Sequence, residues 1–412
     1  MIDYIEHRLS NGLHVVIHPD PETPLAVLNL LYMVGSKDEH PEKTGIAHLF
    51  EHLMFGGSRH LPKFDRELQR VGAENNAFTN CDITNYYTSI PSQNIETAFW
   101  ADSDRMANPL LTDEVLDIQR NVVLEEFRQR YLNQPYGDVW HHLRPLAYER
   151  HPYRWPTIGV EPEHIEKLTA DDILGFYQAF YRPSNAILVV AGNVRTDEVL
   201  QLCETWFGDV PDRNAVERGI PEEPTQNEKR LVELRASVPL DAIWKVYHIP
   251  GRAAADYYAA DLLGDILGRG KSSRLYKALV KEEPIFTSIQ SYSTSNSDPG
   301  LLVVTGKINP GISPETADVQ IEQQIGRLLQ DKIQEPELEK VKNQAESTIL
   351  FSETELLNRA IALAQGASLG HTGLANEEIQ IIRLLGAEHL FEAASKYLRP
   401  DNCSTVYYLK GK

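Results

Sequence analysis

Cysteine is scarce: the 412 residues hold three, Cys81, Cys203 and Cys403, far apart and odd in number. That excludes a disulfide framework and a cysteine-built zinc cluster, and leaves them as small core hydrophobes. No apolar run reaches the roughly 20 residues that a membrane-crossing helix needs. The first residues, Met-Ile-Asp-Tyr-Ile-Glu-His, carry neither a basic segment nor an apolar stretch. No secretory leader is read there, so a cytoplasmic location is expected, or a periplasmic one if a leader has been removed. Basic charge is short as well, 40 Lys and Arg against 59 Asp and Glu, for a formal net charge of −19. That argues against nucleic acid or an anionic membrane as partner, and it suits a basic peptide.

What is present is the composition of a soluble globular chain, 42% hydrophobic and 24% charged, long enough for two or more domains. The chain is organised around Gly45-Ile-Ala-His-Leu-Phe-Glu-His-Leu-Met-Phe55. Ile46, Leu49, Phe50, Leu53 and Met54 recur at helical spacing and predict a mostly buried helix. Two histidines and a carboxylate sit inside it. His48 and His52, four apart, share one face, the spacing by which two imidazoles reach one metal ion. Glu51 lies at the edge of that face, placed to accept a proton from a water at the metal without itself being a ligand. His-x-x-Glu-His inverts the His-Glu-x-x-His signature of zinc proteases. The rival reading is a pair of neutral histidines hydrogen-bonded in a core.

Around this helix, residues 4–18 read as a hairpin turning at Ser10-Asn11-Gly12, and 25–34 as a buried strand. A helix is predicted over 62–72, and two strands over 74–90. The first of these is short and polar, which suits a sheet edge able to pair with an extended peptide. Helices follow at 93–107 and 113–132. On the latter, Gln119, Val122, Val123 and Glu126 are read as sharing the buried face, so Glu126 projects where a carboxylate needs a partner such as a metal. Glu125 is its rival, and periodicity does not separate them. Helices at 136–147, 170–181 and 196–207 and a strand at 186–193 complete the first half.

Residues 209–230 are charged, proline-rich and poor in large apolar side chains, as a linker is. Beyond it, Ala260-Asp-Leu-Leu-Gly-Asp-Ile-Leu267 matches Ala47–Met54 at a constant offset of 213. The apolar positions agree, while His48, Glu51 and His52 become Asp261, Gly264 and Asp265, as expected of a duplicated fold that has dropped its ligands. Gly268-Arg-Gly-Lys-Ser-Ser273 lacks the first glycine of a phosphate loop and no strand runs into it, so nucleotide binding is rejected. Residues 314–365 read as mostly long polar helix, 376–397 as helix and 403–409 as a last strand.

The His48–His52 helix, the Asn76-Ala-Phe-Thr79 strand, the Asn121-Val-Val-Leu-Glu-Glu126 helix and the duplicated halves together resemble the M16 family of zinc peptidases, in its short two-domain branch. The resemblance implies an α+β fold of two homologous α/β halves. Each is a mainly antiparallel sheet backed by helices (LuxS/MPP-like), and together they form half of a peptidase chamber. It implies a zinc-binding domain over 1–210, a linker over 211–230 and a C-terminal domain without metal ligands over 231–412. It makes His48, His52 and Glu126 the ligands of one zinc per chain and Glu51 the general base. It places Asn76, Ala77 and Thr79 against the substrate backbone of a short or unstructured polypeptide.

Two departures stand out. Gln119 occupies the place of a family glutamate beside the metal, keeping its reach and losing its charge. Val280 and Thr287 occupy the places of an arginine and a tyrosine that contact substrate. The resemblance therefore implies a related partner subunit in a heterodimer, or a homodimer, to supply that pair. A non-catalytic scaffold subunit of an M16-type complex is the alternative function.

Overall fold

The computed structural model describes residues 1–213, 216 and 218–411. Their contacts form two compact units: Met1–Arg128 with Trp155–Ile220 and Leu350–Glu377, and Gln129–Arg154 with Pro221–Ile349 and Glu378–Lys412.

The first unit is built on a six-stranded sheet of β1 (Ile5–Arg8), β2 (His14–Pro19), β3 (Leu25–Tyr32), β4 (Glu74–Thr79), β5 (Thr84–Pro91) and β6 (Ala186–Gly192). The strand order is β1-β2-β6-β3-β5-β4. β1 and β2 form the expected hairpin, and Gly12 turns it at a φ of +91° that only glycine adopts freely. β3, an almost unbroken apolar run, is buried from Ala26 to Tyr32 because layers cover both faces. Its one polar residue, Asn29, exchanges two side-chain hydrogen bonds of 2.8–2.9 Å with Asn85 on β5. One face presents Val16, Val27, Leu31, Ile187 and Val189 to Ala360, Leu363 and Ala364 of the helix Leu356–Ser368.

The second unit holds β7 (Arg230–Ala236), β8 (Ala242–Ile249), β9 (Phe286–Ser293), β10 (Gly300–Ile308) and β11 (Cys403–Lys410), in the order β7-β11-β8-β10-β9. The pairing repeats that of β2-β6-β3-β5-β4 in the first unit, with no counterpart of β1 among the described residues. β7/β11 is parallel as β2/β6 is, and the other three neighbouring pairs are antiparallel like their counterparts. The helix Tyr257–Gly268, which contains the repeated motif, lies against β9. Lys245 is buried completely and is neutralised by Asp318 at 2.6 Å and Glu322 at 3.0 Å.

Local stops cut two long helices read from periodicity. The stretch 314–365 divides into Pro314–Gln330, Glu335–Ser352 and a third helix from Leu356, with Pro336 in the first turn of the second. The stretch 376–397 divides at Gly386 into Leu374–Leu384 and Ala387–Tyr397. Of the expected linker, residues 214, 215 and 217 lie outside the described residues. The others up to 229 form neither helix nor strand. Within this stretch, the Glu223 carboxylate accepts the backbone N–H groups of Glu149, Arg150 and His151 at 2.8–2.9 Å.

Candidate metal centre

The motif forms a helix of eight residues, Ile46–Leu53, too short to stand alone in water. One side buries Ile46, Ala47, Leu49, Phe50 and Leu53, with the Phe50 ring 4.1 Å from that of Tyr181. The other side leaves His48, Glu51 and His52 half-buried.

One buried carboxylate holds the start of this helix and another holds the loop that follows it. At the start, Glu39 accepts the N–H groups of Gly45 at 3.0 Å and Ala47 at 2.9 Å, two donors that the first turn of a helix leaves without partners. Burial drives the Glu39 carboxyl well above its usual range, against the pull of those N–H groups. Past the far end, Asp104 accepts Ser58 Oγ at 2.5 Å and the His60 amide at 2.9 Å. Burial pushes the Asp104 carboxyl up, but these hydrogen bonds outweigh it and hold the group below the usual range. No sequence signal marked Glu39, which lies six residues before Gly45 with a loop between. Glu39→Gln is expected to cost about 1–3 kcal/mol, since the amide NH2 faces one of the two donors and leaves it unsatisfied. Urea unfolding measures the loss; an unchanged midpoint would remove Glu39 as the anchor.

The third group comes from the helix Asp113–Phe127, started by Thr112, whose hydroxyl accepts Val115 N–H at 3.3 Å. Its buried side runs through Leu116, Val123, Leu124 and Phe127. Val122, read as part of the buried face, is 45% exposed, so that face lies rotated from the true core face. Glu125 points outward and meets Arg128 at 3.4 Å. Glu126 turns to the histidines, with Oε2 3.5 Å from His52 Nε2 and Oε1 3.9 Å from His48 Nε2. The two imidazole rings stand edge to face, centroids 4.9 Å apart.

One ligand atom from each of His48, His52 and Glu126 lies within 4.8 Å of the other two, the only such grouping of His, Cys, Asp or Glu among the described residues. Two donors each about 2.1 Å from one tetrahedral ion stand about 3.4 Å apart, so the spacing fits a single cation. Two imidazoles and a carboxylate are a zinc donor set that leaves a fourth position for substrate or water. Gln119 lies two turns before Glu126 and is half-buried.

Glu51 accepts a 2.5 Å hydrogen bond from Thr79 Oγ1. Thr79 ends β4, the outermost strand on this side of the sheet. On the same strand Asn76 is exposed, and its side-chain oxygen takes the Ala77 N–H at 2.8 Å. In the second unit the repeated positions do not converge. Asp261 accepts Ser293 Oγ, and Asp265 pairs with Arg269 at 3.0 Å. Gly264 lies against β9, where an added Cβ would sit 3.5 Å from the Tyr292 backbone. Val280 falls in the π-helical segment Lys277–Glu282, and Thr287 on β9 gives its hydroxyl to the Lys307 carbonyl at 3.1 Å.

The sequence profile described as "Insulinase (Peptidase family M16)" matches residues 14–159, and "Peptidase M16 inactive domain" matches residues 167–345. The chain is 30% identical to "Zinc protease PqqE" of Helicobacter pylori, over 98% of this chain and 91% of that protein. It is 23% identical to "Mitochondrial-processing peptidase subunit beta" of Saccharomyces cerevisiae, over 96% and 86% of the two chains. The crystal structure of a protease from Helicobacter pylori superimposes with a TM-score of 0.93 at 28% identity, covering 99% of this chain and all of that one.

Proposed function

This chain belongs to peptidase family M16, and we propose that it is a zinc endopeptidase acting on short or unstructured polypeptides. The observation that carries the proposal is the convergence of His48, His52 and Glu126, from helices more than sixty residues apart, at the spacing of one cation. The two imidazoles and the Glu126 carboxylate would hold the ion. Bound zinc would supply Lewis acidity at the scissile carbonyl and lower the pKa of an attacking water towards about 7. Glu51 would accept that water's proton and return it to the leaving amine. β4 would align the substrate by pairing with its backbone, with Asn76, Ala77 and Thr79 along the contact.

The division into a zinc-binding domain over 1–210, a linker over 211–230 and a metal-free domain over 231–412 is part of this reading. So is a partner. Val280 has no polar group to offer a developing oxyanion, and the Thr287 hydroxyl is spent on Lys307, so a second related subunit in a heterodimer would supply the missing donors. A homodimer would do so only through other residues. The non-catalytic scaffold reading draws on the "inactive domain" description of 167–345, and it predicts a chain without zinc.

Zinc content of the purified chain separates the two, and a pair of neighbouring variants tests the ligand set. Wild type and Glu125→Gln are expected to carry one zinc per chain and, with the partner subunit present, to hydrolyse an unstructured peptide to the same extent. Glu126→Gln is expected to lose most of both, because a neutral amide oxygen is a weak zinc ligand. Full zinc in Glu126→Gln would overturn the assignment of the third ligand, and no zinc in wild type would favour the scaffold.

A further inference from the structure

We propose that Thr79 is a positioning residue for the proton acceptor: beyond its backbone's place on β4, the reaction needs its hydroxyl, because it fixes the Glu51 carboxylate. This inference rests on the reading of Glu51 given above. A threonine hydroxyl has one hydrogen to give. Thr79 Oγ1 has two polar neighbours on the acceptor side, Glu51 Oε2 at 2.5 Å and Thr84 Oγ1 at 3.4 Å. Thr84 is committed elsewhere, since it donates its own hydrogen to the Val34 carbonyl at 3.0 Å and is buried completely. It has no hydrogen for Thr79, and the longer contact cannot compete for the one that Thr79 holds. The hydrogen goes to Glu51.

The platform behind this bond is stiff. Thr79 and Thr84 face each other as the last paired residues of β4 and β5, and Thr84 is anchored to the loop after β3. The β-branched side chain of Thr79 has few staggered positions open to it on a strand. Glu51, by contrast, stands on a short helix and reaches its place through a longer side chain with more rotatable bonds. Holding one carboxylate oxygen removes that freedom before substrate arrives. A displacement of about 1 Å in a reacting group costs on the order of a hundredfold in rate.

The test is Thr79→Val beside Thr79→Ser, with Glu51→Gln as reference, on the full chain with zinc. Valine keeps the branched shape that suits a strand and loses only the hydroxyl, whereas serine keeps the hydroxyl. Thr79→Val is expected to lower kcat by about tenfold to a hundredfold. KM should stay within about twofold and zinc content should not change, the pattern of an interaction made for the transition state. Thr79→Ser is expected to recover most of the rate. A raised KM at unchanged kcat would confine Thr79 to the substrate contact and overturn the proposal, as would wild-type kinetics in Thr79→Val while Glu51→Gln is inert. If Glu51→Gln itself hydrolyses peptide at the wild-type rate, or the wild type does not hydrolyse it even together with a related partner subunit, the catalytic reading has failed. Crystal structures of the Thr79 variants then decide the positional claim. A Glu51 carboxylate displaced in Val and restored in Ser supports it, and one unmoved in Val overturns it.

Discussion

Glu51→Gln is expected to cut peptide hydrolysis by about two to four powers of ten while the zinc content stays at one per chain. The amide has nearly the shape of the carboxylate and still offers an oxygen to the Thr79 hydroxyl, so the local fold has no reason to move. What it lacks is basicity. Glu51 lies outside the group of His48, His52 and Glu126 whose donor atoms cluster, so its replacement leaves the ligand set whole. Loss of zinc in this variant would make Glu51 a ligand, and undiminished turnover would end its part in proton transfer.

Asp102→Leu is expected to destabilise the protein by about 3–5 kcal/mol, the cost of leaving a buried charge without its partner. Arg105 is the largest fully buried side chain, and its guanidinium reaches Asp102 at 2.8 Å with both side chains about 2% exposed or less. The rest of its surroundings is aromatic, with the Tyr86 ring 4.4 Å and the Phe64 ring 4.7 Å from the guanidinium carbon. Among the described residues no acceptor takes the N–H groups of Arg105 Nε or Nη1, so ring faces stand where acceptors usually do. Burial raises the Asp102 carboxyl, and Arg105 opposes that shift. A pair satisfied so sparingly yields little net stability, so the double variant Asp102→Leu/Arg105→Met is expected to regain most of what the single variant loses. Chemical unfolding of the three chains measures this. A double variant as weak as the single one would show that the charge pair was not the source of the loss.

The shared face of His48 and His52 was legible because helical periodicity is a local property: a spacing of four residues fixes it whatever else the chain does. The choice between Glu125 and Glu126 was not, since it depends on which side of Asp113–Phe127 meets the core. The apolar pattern put Glu126 on the inner side, as the structure does, although Val122 of that same face is exposed. The duplicated helix was readable from matching apolar positions, yet β7 and β8, which make the second sheet match the first, went unread. β7 alternates half-buried and exposed residues and carries charge at both ends, a weak pattern for a strand. Glu39, Asp104 and the Asp102–Arg105 pair escaped for a different reason. Each acts on a partner chosen by the tertiary fold, and a charged residue bound for the interior looks in sequence like one bound for the surface.

The helix Leu356–Ser368 covers a sheet whose strands are all complete by Gly192. During synthesis the apolar face of Val16, Val27, Leu31, Ile187 and Val189 must therefore wait, wet, while more than 160 further residues leave the ribosome. Until that late segment arrives the nascent chain carries a sticky, half-dressed sheet, the kind of surface that recruits chaperones and invites aggregation.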